Sequence, residues 1–444
     1  MPQLVEPHPL ISAWLDAPPS TLSVGDTDKL EALRSQARDA LADGLPTSKN
    51  ELWKHSAGPL RQLLRQPFVI GGNSPPGASI NDLLAAVPGH GEDDADTIVL
   101  LNGRMLGTRL FAQGKAGRKL QALSTMDSQW AAGLGTCSGT AARLAAHPFA
   151  ALNTARFEDA AVVHIDANHS LDRPIHVLHV LTADEPTITF PRTLIVIGQG
   201  AKAQVIESFV TLGDSPAPQL AAAVTEIAAA GNATLDYIRL QHAMAAGSLI
   251  HHVAARVHGG ATVNTFNISL GAPFVRTDLE IDLREPGAHG GLLGLVLASG
   301  KQHIDNHTRI DHAAPHCTSD ELYKHVLDDE SHAIFYGRIK VHEDAQKTDA
   351  MQGNHTMLLS RSAQIDAMPQ LEIYADDVKC THGATCGQPD DDAIFYLRSR
   401  GFTRPDALLM LTRAFAGQVI ERIPVDRVAD LLEDVLGQRL GGSD

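Results

Sequence analysis

The sequence predicts a mainly β protein whose core is a β-helix flanked by helical regions at both ends. Three observations lead to this fold class. Short runs of Val, Ile, Leu and Thr, separated by Gly, Asn, Asp and Pro, fill residues 151–387. A weak repeat with a period of about 30 residues runs through this stretch. Helical periodicity is confined to residues 1–150 and 388–444.

The repeat is marked by glycines that are followed by Ala or Asn, and each of them opens a short alternating segment. Gly200, Gly231, Gly260 and Gly287 are separated by intervals of 31, 29 and 27 residues. Strands at this period without intervening helices favour a β-helix, in which each coil hydrogen-bonds to the next and only the end coils leave an open edge. A large antiparallel sandwich is the alternative, and the repeat by itself does not exclude it.

The first 150 residues are predicted to be helical and rich in loops. Within residues 26–45, apolar residues recur at spacings of three, four and four, as on one face of an amphipathic helix. These residues are Leu30, Leu33, Ala37 and Leu41.

Helical character returns after residue 387. Thr403-Arg404-Pro405-Asp406 combines a hydroxyl cap, an early proline and an acid three residues after the cap, a pattern typical of a helix start. Helices with large apolar residues either pack on the strand region or present a groove to a partner, and both interpretations stay open here. Two apolar stripes follow, one on each side of Pro424: Leu408, Leu411, Phe415 and Val419, then Val428, Leu431, Leu432, Val435 and Leu436.

Charge and composition argue against several classes of partner. The formal net charge of -16 would repel the phosphates of nucleic acid and of anionic membranes. The N-terminus carries prolines and acids where a signal peptide needs a basic start and an apolar run, and no stretch approaches the ~18 apolar residues of a membrane span. We therefore expect a cytoplasmic protein with no nucleic-acid or membrane partner. The four cysteines are too widely spread for a disulfide framework and are expected to be reduced: Cys137, Cys317, Cys380 and Cys386.

The sharpest local constellation lies in residues 376–387. If this segment is extended, residues two apart point to the same face, so Cys380 and His382 would project side by side. A thiolate and an imidazole are competent ligands for iron or zinc, and Lys379 would favour the thiolate form of the neighbouring cysteine.

One cysteine and one histidine are too few for a closed metal site, because structural zinc takes four ligands and an iron–sulfur cluster is typically held by four cysteines. Either the two side chains only pack, which is the commoner arrangement for such residues, or a second subunit completes the site. Gly383 and Gly387 are expected to bend or end the strand, so Cys386 need not share the face of Cys380.

A second histidine-rich segment offers an alternative function, that of a stand-alone zinc metalloenzyme. Its spacings contain no Cys-x-x-Cys or His-Glu-x-x-His pattern, so polar residues on turns and strand faces are the favoured interpretation. The chain also lacks a G-x-x-x-x-G-K-[ST] phosphate loop and a G-x-S-x-G elbow. The residues of this segment are His303, His307, His312, His316 and Cys317, with His325 and His332 following.

Several stretches together resemble the SufD family. The resemblance is specific over residues 300–440 and thin before them, and the lack of an N-terminal group of cysteines favours SufD over its paralogue SufB. Cys386 departs from the pattern, since an aliphatic residue is expected there. Gly353 and His355-Thr356-Met357 also differ from the usual motif. Four segments carry the resemblance: NELWK at residues 50–54, Gln352, Asn354 and Leu358-Leu359-Ser360 within residues 352–360, PQLEIYADDVKCTHGAT at 369–385 and AIFYLRSRG at 393–401.

The resemblance implies a right-handed parallel β-helix with helical domains at both ends, divided at residues 1–150, 151–387 and 388–444. It implies a non-catalytic scaffold subunit for iron–sulfur cluster assembly within a SufBCD complex, pairing with SufB through the β-helix. His382 and Cys380 would contribute to the cluster-forming site at the SufB–SufD interface. The isolated chain would hold no stable cofactor, only a transient iron–sulfur cluster completed by the partner.

The resemblance also implies that the ATPase SufC docks on the C-terminal helices. The same open edge that would pair with SufB could pair with a second copy of the chain when SufB is absent. The candidate partner-binding residues of the C-terminal helices are Phe395, Arg398, Leu408, Leu411 and Phe415.

Overall fold

The computed structural model of the chain describes most of the sequence, and structural statements below concern the described residues. None of the described helices has the length and apolar character required to traverse a membrane. Cys137 lies outside the described residues, which are 9–17, 27–42, 44–71, 79–87, 95–110, 117–125, 135, 141–213 and 215–440.

The helices of the described part lie towards the two ends of the chain. Short 3₁₀ turns cover Glu51–Trp53 and Leu123–Thr125. The α-helices are α1 Pro9–Asp16, α2 Thr27–Ala40, α3 Ala57–Leu63, α4 Ile80–Ala86, α5 Ala141–Ala146, α6 Pro148–Arg156, α7 Asp391–Ser399, α8 Arg404–Ile420 and α9 Asp426–Leu440.

The strands occupy the long middle of the chain. They are β1 Val69–Ile70, β2 Asp96–Leu101, β3 Arg104–Arg109, β4 Arg118–Ala122, β5 Ala161–Ile165, β6 Ile175–Leu181, β7 Thr187–Thr189, β8 Arg192–Ile197, β9 Lys202–Thr211, β10 Gln219–Ala229, β11 Thr234–Gln241, β12 Gly247–Val257, β13 Thr262–Ser269, β14 Phe274–Leu283, β15 His289–Ala298, β16 His303–His312, β17 Thr318–Leu327, β18 His332–Val341, β19 Asp349–Leu358, β20 Gln364–Ile373 and β21 Lys379–Gly387.

These strands form two parallel sheets wound as a β-helix. The first sheet runs in the order β20-β18-β16-β14-β12-β10-β8-β5-β4, and the second in the order β21-β19-β17-β15-β13-β11-β9-β6-β2-β3. From β8 onwards the chain alternates between the sheets, and each strand pairs in register with the strand two places on. The predicted β-helix is confirmed, and the antiparallel sandwich is excluded. Antiparallel pairing occurs only where β3 and β4 end the two sheets, among the described strands.

The turns along one side of the β-helix explain the sequence repeat and why it fades. All of these turns except the last, at residues 374–378, place one residue in the left-handed region, which glycine adopts at least cost and asparagine tolerates. The prediction at Gly231 is one residue early, because Asn232 takes that conformation. Later turns use residues other than glycine, so the fold repeats where the glycine pattern does not. The residues are Asn168, Gly200, Asn232, Gly260, Gly287, His316 and Lys347.

The core fills the space between the two sheets, and helices cover their outer faces. The N-terminal helices bury residues such as Trp14 and Leu30 against the outer face of the first sheet. The C-terminal helices bury Val419 and Leu432 against the outer face of the second sheet. Both helical regions are therefore held by apolar burial, each on a different side of the β-helix.

One part of the interior is polar. The fully buried Glu207 carboxylate accepts hydrogen bonds from Thr225 at 2.7 Å and Tyr237 at 2.5 Å, and its Oε1 lies 2.9 Å from His179 Nε2. Burial alone would raise the pKa of Glu207, but the hydrogen bond with His179 and its neighbours hold that pKa at about 2. The carboxylate is thus charged and satisfied inside the coil stack, as a buried ion must be.

The N-terminal region differs from the helical expectation, because β2, β3 and β4 extend the two sheets. All six residues of β2 are buried, and the last four, residues 98–101, are a continuous apolar run, so the strand lacks the alternation by which a half-buried strand is recognised. The expected boundary at residues 150 and 151 falls inside α6. The last strand ends at Gly387, and α8 begins with the capping box of Thr403 and Asp406.

We predict that Gly260→Ala destabilises the protein by about 1–2 kcal/mol, because an L-residue pays that cost in the left-handed region. Gly260 has φ 66°, and an added Cβ would lie 2.4 Å from Asn232 Oδ1. Urea unfolding followed by circular dichroism measures the change. Gly58→Ala is the control, since φ there is not positive and its Cβ would meet nothing within 4 Å. Equal stability of the two variants would contradict the turn analysis.

Candidate functional site

The pair predicted from sequence lies at the open end of the β-helix. β21 is the last strand of the second sheet: it pairs with β19 on one side, and no described strand pairs with its other side. Cys380 is half-buried and packs against the interior core, whereas His382 is exposed. Within the described part of the chain, no side-chain hydrogen bond or ion pair engages either residue, so both are available to an incoming group.

The register places the two side chains on the face of β21 that continues the inner face of the coil stack. Cys380 pairs with Ala350 of the interior core, and His382 pairs with Gln352. Because side chains alternate along a strand, residues 380 and 382 share this face. The sequence-based prediction that they project side by side is consistent with this register.

The structure corrects the expectation for Cys386. The strand continues in register through Gly383, so Cys386, which pairs with Thr356, lies on the same face as Cys380 and His382. At ~3.3 Å per residue it is about 13 Å from His382 along the strand. That spacing is too long for one metal ion. Cys386 is therefore a separate, exposed thiol at the open end of the β-helix.

The Cys380 thiol is not activated within the isolated chain. Burial and, second, the Asp349 carboxylate raise the pKa of the Cys380 thiol above its usual range. The expectation that Lys379 favours the thiolate is therefore wrong, because the pKa of this thiol is raised and not lowered. A metal ion or a partner must displace the thiol proton before this cysteine can act as a ligand.

A buried polar row continues inwards from His382. Gln352, its strand neighbour, donates a 2.7 Å hydrogen bond from Nε2 to Glu321, which is the next residue in the same row. Burial raises the pKa of the Glu321 carboxyl to about 7. Sequence analysis missed this row, because its members are 30 or more residues apart and are aligned only by the coil register.

Exposed apolar side chains surround the open end. Met351, Ile373 and Tyr374 are exposed, and Met351 retains 58% of its surface. β20, which ends the first sheet, likewise has no described neighbour on its outer side. Two unpaired strand edges with an apolar rim are features of a surface that another chain covers.

The structure does not assemble the histidine-rich segment into a zinc site. Strand alternation puts His303 and His307 on the outer face of the first sheet, where they contact Ser56 at 2.9 Å and Asp305 at 3.0 Å. His312 points inwards and lies 2.9 Å from Ser319 Oγ. His316 occupies a turn, and the buried Cys317 thiol donates to the Glu285 carbonyl.

The histidines of this segment therefore do not form the ligand cluster that the alternative zinc-enzyme function requires. In the chain as described, one group of three His, Cys, Asp or Glu side chains has the spacing of metal ligands, and it contains none of these residues.

The candidate partner-binding residues divide into two groups. Phe395 and Arg398 on α7 are exposed, and Phe395 retains 73% of its surface. Leu408, Leu411 and Phe415 on α8 are half-buried, and the Phe415 ring lies 4.0 Å from Lys324 Nζ on the second sheet. Phe395 and Arg398 are therefore accessible to a partner, whereas Phe415 packs α8 against the β-helix.

The NELWK segment at residues 50–54 joins the N-terminal region to the first sheet. Trp53 is buried, and the Arg276 guanidinium carbon lies 3.9 Å from its ring centroid. Arg276 also donates a 2.7 Å hydrogen bond to the Leu52 carbonyl. This segment has a structural role, because it anchors an N-terminal turn on a buried arginine.

Comparison with known proteins identifies the family. Residues 179–415 match the family described as SUF system FeS cluster assembly, SufBD core domain, a match that spans more than half of the chain. The chain belongs to the SufBD family of iron–sulfur cluster assembly proteins. The matched region includes β7 to β21 and therefore the open end that carries Cys380 and His382.

Relatives confirm the resemblance to SufD along nearly the whole chain. The iron–sulfur cluster assembly protein SufD of Escherichia coli is 30% identical over 423 residues, which cover 94% of both proteins. An iron–sulfur cluster assembly SufBD family protein of Synechocystis is 36% identical over 286 residues, 62% of this chain and 63% of that protein. The chloroplastic protein ABCI7 of Arabidopsis thaliana is 26% identical over 289 residues, 64% of this chain and 61% of that protein.

We predict that Asp349→Asn accelerates alkylation of Cys380, because removing the carboxylate lowers the pKa of its thiol and raises the thiolate fraction near neutral pH. Iodoacetamide labelling across pH 7–10, resolved by peptide mass spectrometry, measures each cysteine separately. Cys386 is the internal control, since burial is the cause that raises its pKa. An unchanged rate at Cys380 would contradict the electrostatic assignment.

Proposed function

We propose that this chain is a non-catalytic scaffold subunit for iron–sulfur cluster assembly that pairs with a SufB-like subunit through the open end of its β-helix. The observation that carries the proposal is the placement of Cys380 and His382 on β21, an unpaired edge strand surrounded by exposed apolar residues. Family membership supports a role in iron–sulfur cluster assembly, and the unpaired strand edge supports the open end as the position of the site.

The open edge supports pairing through main-chain hydrogen bonds. Lys379 N donates to the Thr348 carbonyl of the neighbouring coil, so the alternate residues 380, 382, 384 and 386 direct their N–H and C=O groups away from β19. An exposed row of backbone groups is a template for strand addition. A subunit with the same fold can supply a matching edge strand and continue the sheet.

Pairing would also complete the ligand set. Cys380 and His382 offer one sulfur and one nitrogen, fewer than a cluster or a closed metal site needs. A partner that brings further thiolates, imidazoles or carboxylates to the same rim would close the site. In the isolated chain the raised pKa of the Cys380 thiol disfavours stable binding of a cluster, so the cluster would be bound only transiently at the interface.

The C-terminal helices would dock the ATPase. Phe395, Tyr396, Phe402 and Met410 expose large apolar surfaces on α7, α8 and the turn between them. Such anchors are typical of a protein interface. Because α8 packs on β15 and β17, a nucleotide-dependent movement of the ATPase would be transmitted to the second sheet, the sheet that ends in β21.

A second copy of the chain is the other occupant that the open end would accept. The same edge, rotated by a two-fold axis, is self-complementary in principle. Two copies would supply two cysteines and two histidines, so the number of ligands does not separate the two occupants. The paralogue is preferred because the resemblance to SufD implies a SufB partner.

We predict that His382→Ala lowers the iron and sulfide content of the assembled complex by about tenfold or more, since even loss of a residue that supports a metal ligand costs that much. The measurement is anaerobic purification of the tagged chain with its partners, followed by iron and sulfide analysis. Assembly and melting temperature should be unchanged, because His382 is exposed and makes no side-chain hydrogen bond or ion pair among the described residues.

His355→Ala is the matched control, as this histidine lies on the neighbouring strand and alternates to the other face of the same sheet. It should leave cluster content at the wild-type level. Normal cluster content in His382→Ala would refute the assigned role and leave only packing for this residue.

We predict that Ala384→Pro weakens pairing of the β-helix with its partner by about tenfold or more without unfolding the chain. Residue 384 directs its N–H to the free edge, so proline removes an outward donor and leaves the bonds to β19 intact. Co-purification and sedimentation velocity measure the association, and circular dichroism reports the fold.

Ala384→Thr retains the N–H group and should associate normally. If Ala384→Pro associates as tightly as wild type, strand addition at β21 is not the mode of pairing.

A further inference from the structure

A group of buried side chains lies far from the open end, where the start of α6 meets the outer face of the first sheet. His147 precedes α6, His252 belongs to β12 and Glu280 belongs to β14. One ligand atom from each residue lies within 4.8 Å of the others. His252 pairs in register with Asp278, so Glu280, two residues on, shares its face of the sheet.

His252 is the residue that a purely structural explanation leaves unsatisfied. Its side chain is 3% exposed, and neither ring nitrogen has a hydrogen-bond partner among the described residues. Its ring lies 4.3 Å from the His147 ring, centroid to centroid. A buried polar group without a partner costs about 1–3 kcal/mol, so such groups are rare unless a ligand satisfies them.

We propose that His147, His252 and Glu280 bind one divalent transition-metal ion. Two imidazoles and one carboxylate form a donor set suited to Zn²⁺ or Fe²⁺. With metal–ligand bonds of about 2.0–2.2 Å at tetrahedral angles, ligand atoms lie roughly 3.3–3.6 Å apart. The 2.7 Å contact between His147 and Glu280 would therefore lengthen, and the longest distance in the group would shorten. His147, at the start of a helix, can supply that movement.

The surrounding residues orient His147 for this role. Its Nε2 lies 2.7 Å from Glu280 Oε1, whereas its Nδ1 faces Asp278 Oδ1 at 3.7 Å. Arg276 holds Asp278 through two hydrogen bonds of 2.7 and 2.9 Å. A carboxylate behind one ring nitrogen, with the other nitrogen facing the site, is the usual outer support of a metal-binding histidine.

An ion pair between His147 and Glu280 is the competing explanation. It accounts for the 2.7 Å contact and for Arg143, whose Nε lies 3.0 Å from the second oxygen of Glu280. It leaves both nitrogens of His252 without a partner. A metal ion would give one nitrogen of His252 a partner while it engages His147 and Glu280, and it would tie the start of α6 to two coils of the β-helix.

This site is separate from the rim that carries Cys380 and His382. Three strands of the first sheet, β16, β18 and β20, lie between β14 and the open end. The inference therefore stands or falls independently of the proposed scaffold function.

The test uses the full-length chain after dialysis against a chelator, titrated with Co²⁺ and Zn²⁺ by calorimetry and, for Co²⁺, by visible absorption. Anaerobic titration with Fe²⁺ distinguishes the two metal classes by relative affinity. We expect one ion per chain, with His147→Ala, His252→Ala and Glu280→Gln each weakening binding by about 10–100-fold or more.

His258→Ala is the control, because the chain has 22 histidines and exposed ones bind metals adventitiously. His258 is exposed and pairs with Glu285 in a turn, so its loss should not change the affinity. His147→Ala keeps the test valid if His252→Ala fails to fold, since His147 lies outside the sheet. Absence of binding, or equal affinity in His147→Ala and His258→Ala, would overturn the proposal in favour of the ion pair.

Discussion

In-register parallel hydrogen bonding between successive coils determines what every other part of this protein can do. A strand inside the stack has both edges satisfied by the coils before and after it, and its inward side chains form continuous rows. At the N-terminal end, β3 and β4 close the two sheets with antiparallel pairs. At the other end β20 and β21 have no such partner among the described strands. Their outer edges are therefore exposed, and Cys380 and His382 lie at this exposed edge.

The two helical regions depend on the same stack. Each covers the outer face of one sheet, and each places an aromatic ring against a charged side chain of that sheet: Trp53 against Arg276 on the first sheet, and Phe415 against Lys324 on the second. The buried Glu207 network shows that the interior also accepts charge where several donors converge on it. Polar groups without such donors, such as His252, are therefore informative.

Cys380 and His382 at the open end form an incomplete set of metal ligands, and their chemistry follows from this. A thiol whose pKa is raised by burial and by Asp349 does not load metal readily, and an exposed histidine alone cannot hold it. In the proposed function, both would become effective ligands when a second chain excludes water and adds ligands. A site that is weak in one subunit and complete in two would couple cluster formation to assembly, which would suit a protein of the SufBD family.

The sequence by itself determined the fold class, the amphipathic α2, the capped start of α8 and the pairing of Cys380 with His382 on one strand face. These features rest on local periodicity and capping, which neighbouring residues encode. The sequence did not reveal β2, because burial on both faces removes the alternation of apolar and polar residues. It also did not reveal that Cys386 shares a strand face with Cys380 and His382, because a glycine such as Gly383 can either end a strand or lie within it. Only the tertiary structure decided the row from Glu321 to His382 and the meeting of His147, His252 and Glu280. Residues that far apart in the chain are brought together by coil register and helix packing, and no local pattern in the sequence records either.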